Sequence, residues 1–88
     1  MSDPHVTVLY FAWLRERVGV GEERISLPAD IRTAGALIEH LAARDAAHAA
    51  AFENRQTVRC AVNQDFAGPD AAVGPGDEIA FFPPVTGG

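Results

Sequence analysis

One stretch with clear helical periodicity, "TAGALIEHLAA" (33–43), lies between two sets of strand-like segments, and this limits the folds open to the chain. Ala34, Leu37, Ile38, Leu41 and Ala42 recur at i, i+3, i+4, i+7 and i+8, which draws one apolar stripe along a helix. Thr33 is placed to cap it, its hydroxyl accepting from an unpaired amide of the first turn. Glu39, His40 and Arg44 fall mostly on the wet side. A helix with one apolar stripe covers one face of a sheet, so the expected class is a two-layer α+β fold.

The strand-like segments supply that sheet. "HVTVLYFAW" (5–13) is rich in β-branched and aromatic residues. Val6, Val8 and Tyr10 face one side, and Leu9, Phe11 and Trp13 the other. Both faces read as apolar, which points to a cover from outside the chain. "LRERVG" is helix-compatible, "GVGEE" reads as a loop, and "RISLP" (24–28) as a second strand, giving a hairpin-like start. "AAHAAAF" (46–52) reads as a second helical piece without a distinct face, and its His48, like His40, is expected in solvent. In "TVRCAVNQ", Val58, Cys60 and Val62 alternate with Arg59, Ala61 and Asn63. "DFAGPDAAV" reads as loop. In "GPGDE", Pro75 and Gly76 suit positions i+1 and i+2 of a type II turn. "EIAFF" (78–82) is the last strand, with Ile79 and Phe81 opposed to Ala80 and Phe82, and Pro83-Pro84 ends it by removing two backbone donors.

The 88 residues make one domain. A net charge of −5, from 12 acidic and 7 basic residues, argues against a nucleic-acid binder and suits a partner with a basic surface. No apolar run approaches the roughly 18 residues of a membrane helix, so no membrane association is expected. No secretory signal is legible, and the single cysteine, Cys60, fits a reducing compartment, so the expected location is cytoplasmic.

Catalytic constellations are missing. His5, His40, His48 and Cys60 show no metal-ligand spacing, and no metal site is expected. Cys60 reads as a small buried hydrophobe without a base to activate it. "GVGEE" lacks the Lys-Ser/Thr of a phosphate loop, and Glu22-Glu23 and Asp77-Glu78 read as turn and surface charges. The chain is not expected to catalyse alone.

The segment "PPVTGG" (83–88) remains. Gly87 and Gly88 fit a channel too narrow for a Cβ and leave the carboxylate unhindered. Pro83 and Pro84 favour a stiff, extended segment. Six extended residues reach about 20 Å, enough to enter another protein's active site. A carboxylate needs activation before a nucleophile attacks it, and nothing here binds ATP. All seven basic residues are arginine. The absence of lysine is either compositional drift or a way of denying an activated terminus a neighbouring amine.

The stretches "VLYFAWLRERVG", "TAGALIEHLAA", "CAVNQ" and above all "GDEIAFFPPVTGG" resemble the small, sulfur-carrying subunits of molybdopterin synthase, the MoaD family of ubiquitin-like β-grasp proteins. The resemblance covers nearly the whole chain. It implies a β-grasp domain over 1–82, with a mixed sheet of about four to five strands on one main helix. An extended flexible tail over 83–88 follows. It further implies that an adenylating enzyme akin to the ubiquitin-activating enzymes converts Gly88 to an acyl-adenylate using ATP-Mg. A sulfurtransferase or cysteine desulfurase then supplies sulfur as a thiocarboxylate. Pro83, Pro84, Val85, Thr86 and Gly87 would insert with Gly88 into the large synthase subunit. There the sulfur passes to cyclic pyranopterin monophosphate to build the molybdopterin dithiolene, within a heterotetramer. No cofactor is bound directly. Phe11, Phe66 and Phe82 match the family's apolar docking patch, Phe66 standing where an aliphatic residue is commoner, and Arg15 also matches. The alternatives are a thiamin-type sulfur carrier, which lacks the aromatic-Pro-Pro signature, and a ubiquitin-like protein modifier.

Overall fold

The computed structural model describes residues 3–84. Strand β1 (His5–Tyr10) leads through helix α1 (Trp13–Val18) into β2 (Glu22–Ser26). Helices α2 (Ala34–Ala42) and α3 (Ala46–Ala51) and a 3₁₀ turn at Arg55–Thr57 follow. Then come β3 (Arg59–Val62), β4 (Asp65–Ala67) and β5 (Glu78–Phe82). The sheet order is β2-β1-β5-β3-β4. The central pair, β1 and β5, is parallel, and every other pairing is antiparallel.

Strand alternation sorts the side chains into two faces. Val6, Val8, Tyr10, Ile25, Cys60, Ile79 and Phe81 are buried with Leu14 of α1, with Ala34, Leu37, Ile38 and Leu41 of α2, and with Ala51 and Phe52 after it. All three helices therefore lie on this face. Phe52 meets Phe81 edge to face at 5.1 Å, and Tyr10 stacks on Phe81 at 6.3 Å, within the range of favourable aromatic pairs.

The local signals explain these elements. Thr33 Oγ1 accepts from Ala36 N at 3.1 Å and starts α2. Asp45 starts α3 in the same way, accepting from His48 N at 2.9 Å. Gly76 has φ of 87°, and Asp77 N–H donates to Gly74 O at 3.1 Å, completing the Pro75-Gly76 turn. Gly35 approaches Pro69 so closely that its N–H donates to Pro69 O at 2.7 Å.

Four expectations need correction. Glu22-Glu23 are not turn and surface charges: both belong to β2, and Glu23 is part-buried because its side chain faces the core layer. Trp13 is not a strand residue: Ala12, with φ of 56° and ψ of −133°, breaks the strand, and Trp13 opens α1. "DFAGPDAAV" is not all loop, because Asp65–Ala67 pairs with β3. The connection is the two-residue turn Asn63-Gln64, both at positive φ (51° and 72°), the conformation tight hairpins require. His48 is not in solvent but 4% exposed.

Candidate functional site

The sheet face opposite the helices carries the apolar side chains that the core does not use. Along the registers, Leu9 pairs with Ala80, Ala80 with Ala61, and Ala61 with Phe66. Leu9, Ala61, Ala80 and Phe82 are half-buried there, and Phe66 is 84% exposed. The small side chain of Ala61 leaves room for the rings of Phe66 and Phe82 to meet edge to face, with centroids 5.8 Å apart. Phe11 is 49% exposed, and its N–H donates to Phe81 O at 3.1 Å, extending the parallel pairing by one residue. That bond puts Phe11 beside Phe82. Three aromatics from three parts of the chain thus form an apolar patch at the end of β5, of the kind that marks partner sites.

Arg15 lies elsewhere. It is exposed on α1, lines a shallow hollow with Ala12, Glu16 and Gly19, and its guanidinium passes close over Gly21. Pro83 and Pro84 follow β5 directly and line a groove with Trp13, Arg17, Glu53, Asn54 and Thr57. Val85, Thr86, Gly87 and Gly88 lie outside the described residues.

A buried polar cluster escaped the reading of the sequence. His48 Nε2 lies 2.8 Å from Glu23 Oε2, and Nδ1 lies 2.8 Å from Asp45 Oδ1. Tyr10 donates its hydroxyl to the same Glu23 oxygen at 2.8 Å. Burial disfavours the imidazolium, but the two carboxylate hydrogen bonds outweigh it and raise the His48 pKa. Burial likewise opposes ionisation of Glu23, yet donation by His48 and Tyr10 keeps its pKa low. The Tyr10 pKa is driven upward by burial and by that bond to Glu23. The cluster fastens α3 to β1 and β2. Its sequence signal was Asp45 three residues ahead of His48, an N-cap spacing that turns the imidazole back to the helix start.

The remaining candidates have little chemistry to offer. Cys60 is buried, its thiol donates to Ala67 O at 3.3 Å, and burial raises its pKa. Among the described residues, no group of three or more His, Cys, Asp or Glu could hold a metal ion. Among them, too, no helix is long and apolar enough to cross a membrane.

A mixed five-stranded sheet with a parallel central pair, wrapped on one side by a main helix and bearing an apolar patch on the other, defines a ubiquitin-like β-grasp protein. The model of the ThiS family matches residues 8–88, and the chain belongs to that family. It is 47% identical over 83 residues to the molybdopterin synthase sulfur carrier subunit of Haemophilus influenzae, covering 94% of this chain and 99% of that one. The protein of the same name from Escherichia coli K12 is 43% identical over 83 residues, with the same coverage. A solved structure from Pyrococcus furiosus, described as a putative molybdopterin converting factor, subunit 1, is 34% identical with a TM-score of 0.77, covering 94% of this chain and 100% of that one. Small archaeal modifier protein 1 of Haloferax volcanii is 30% identical with a TM-score of 0.74, covering 93% of this chain and 99% of that one.

Proposed function

We propose that this chain is the sulfur carrier subunit of a molybdopterin synthase, working in the cytoplasm. The observation that carries this reading is near full-length similarity, at 43–47% identity, to proteins of that name, within a family match that runs to Gly88. In this reading the large subunit docks on Phe11, Phe66 and Phe82, and Arg15, exposed on α1 away from that patch, makes a separate contact. Pro83 to Gly87 then carry Gly88 into the large subunit's site.

The chemistry follows from what a carboxylate lacks. An adenylating partner uses ATP-Mg to join the Gly88 carboxylate to AMP, releasing pyrophosphate. A persulfide on a sulfurtransferase or cysteine desulfurase then attacks the acyl-adenylate and expels AMP. A thiol reduces the resulting acyl disulfide, leaving the Gly88 thiocarboxylate. The thiocarboxylate sulfur attacks the pterin precursor, and water hydrolyses the acyl–sulfur bond, leaving sulfur on the pterin and a carboxylate on Gly88. Two such deliveries supply the two sulfurs of the dithiolene. This chain brings a nucleophilic sulfur on a slim arm, and the large subunit supplies the pocket.

Intact mass tests the reading directly. Incubation with the adenylating enzyme, ATP and a sulfur donor should replace one oxygen of the chain by sulfur. Addition of the large subunit and precursor should restore the original mass. Deletion of Gly88 should abolish both changes while leaving the fold intact; a truncated chain that still delivers sulfur overturns the proposal. The likeness to a small archaeal modifier protein favours a second reading, attachment to lysines of other proteins. Isopeptide-linked adducts in place of the thiocarboxylate would select it.

A further inference from the structure

Proline supplies no N–H, so Pro83 and Pro84 cannot donate to the ladder that β5 belongs to, yet both are half-buried. Pro83 and Pro84 share one groove with Trp13 and Arg17 of α1 and with Glu53, Asn54 and Thr57 beyond α3. Trp13 is half-buried and packs on the core, so its ring has a firm backing. Arg17 stands one turn later, its guanidinium carbon 4.6 Å from the indole centroid. Its Nη1 donates to Ala50 O at 3.1 Å, tying this pair to α3. A cation over an aromatic face adds attraction that a free surface arginine lacks.

The backbone at Ala12 completes the arrangement. Its positive φ turns the chain between Phe11, on the patch side of the sheet, and Trp13, on the helix side. Pro83 and Pro84 therefore lie between an aromatic patch and an aromatic-cationic ledge.

We propose that Trp13 and Arg17 are positioning residues: they hold Pro83-Pro84 and fix the direction from which the C-terminal segment enters a partner's site. The proposal rests on the sulfur-carrier reading for its consequence, but the shared groove does not. A root held in one direction reduces the freedom lost when the segment inserts, and that gain appears in kcat/KM for adenylation.

Trp13 is the sole tryptophan, so its fluorescence reports on the ledge without any partner. Replacing both Pro83 and Pro84 by serine should shift its emission to the red and increase its quenching by iodide. Nuclear Overhauser contacts between the indole and the proline rings should be present in the native chain and lost in that variant. In adenylation assays, Arg17→Ala should lower kcat/KM about tenfold, mainly through KM, with only a small drop in melting temperature from losing the bond to Ala50 O and the stack on Trp13. Trp13→Ala should lower kcat/KM similarly but also lower the melting temperature, because its ring packs on the core, and Trp13→Tyr should recover most of both losses. Unchanged tryptophan emission in the double serine variant, or native kcat/KM in Arg17→Ala, overturns the proposal. A native chain that no adenylating enzyme modifies defeats the carrier reading instead, while the fluorescence and Overhauser results still decide whether the ledge holds the prolines.

Discussion

His48 Nε2 and Glu23 Oε2, 2.8 Å apart, join α3 to the edge strand β2 through a nearly fully buried imidazole. Because folding raises the His48 pKa, its contribution to stability is complete below the ordinary imidazole value of about 6.5 and fades as pH rises through the folded-state value. Glu23 and Asp45 work in the opposite sense. Their pKa values are lowered, so their contribution is present above about pH 4.5 and is lost as pH falls through the folded-state values. The melting temperature should therefore peak between about pH 4.5 and 6.5 and decline on both sides. His48→Gln should remove the alkaline decline and cost about 1.5–3 kcal/mol at pH 6, measured by urea unfolding. A native profile that is level from pH 6 to 9 would contradict the assignment.

Phe66 tests the uncovered face separately from the core. With 84% of its surface in solvent, Phe66→Ala should alter stability by no more than about 0.5 kcal/mol. Its loss from the β4 side of the proposed docking patch should weaken large-subunit binding about thirtyfold, the scale of a 2 kcal/mol anchor. Calorimetric titration beside a thermal melt separates the two effects.

Ala12 should reverse the usual rule for glycine. A non-glycine residue at φ of 56° pays a steric penalty of about 1–2 kcal/mol. Glycine removes that penalty and adds about 0.5–1 kcal/mol of chain entropy cost. Ala12→Gly should leave stability unchanged or raise it by up to about 1.5 kcal/mol, read from the denaturation midpoint. A clear loss of stability would show that the backbone here is unstrained.

Gly35 should tolerate nothing larger. A Cβ built there lies 3.0 Å from Pro69 O, a backbone atom that cannot swing aside, and the bond from Gly35 N to Pro69 O would have to lengthen. Gly35→Ala should cost about 1–3 kcal/mol, with exchange of the Gly35 and Ala71 amides accelerating first. Native stability in this variant would show that the α2–Pro69 contact is soft.

Much of this architecture was readable from local patterns. The α2 stripe, its Thr33 cap, the Pro75-Gly76 turn and the inward Ile79 and Phe81 each follow from one strong periodic or turn signal, and all appear as expected. The misreadings occur where that signal is absent. Ala12 is neither glycine nor asparagine, so nothing local announces its positive φ and Trp13 reads as part of the strand. β4 is three residues long and buries none of them fully, so Asp65–Ala67 lacked the alternation that marks a strand. His48 sits in a run of alanines whose uniform size conceals which side is inward. The apolar patch was partly visible, since Phe11 and Phe82 occupy the second face of strands whose first face feeds the core. The contact of Phe66 with Phe82 across Ala61 depends on sheet order, which no local pattern encodes.

The parallel pairing of β1 with β5 has a consequence for how the protein is made. The middle of the sheet joins strands about seventy residues apart in sequence, so β1 waits on the ribosome until β5 has emerged. Until then Phe11 and Phe82 are strangers, and no interrupted translation product can display the surface that a partner would recognise.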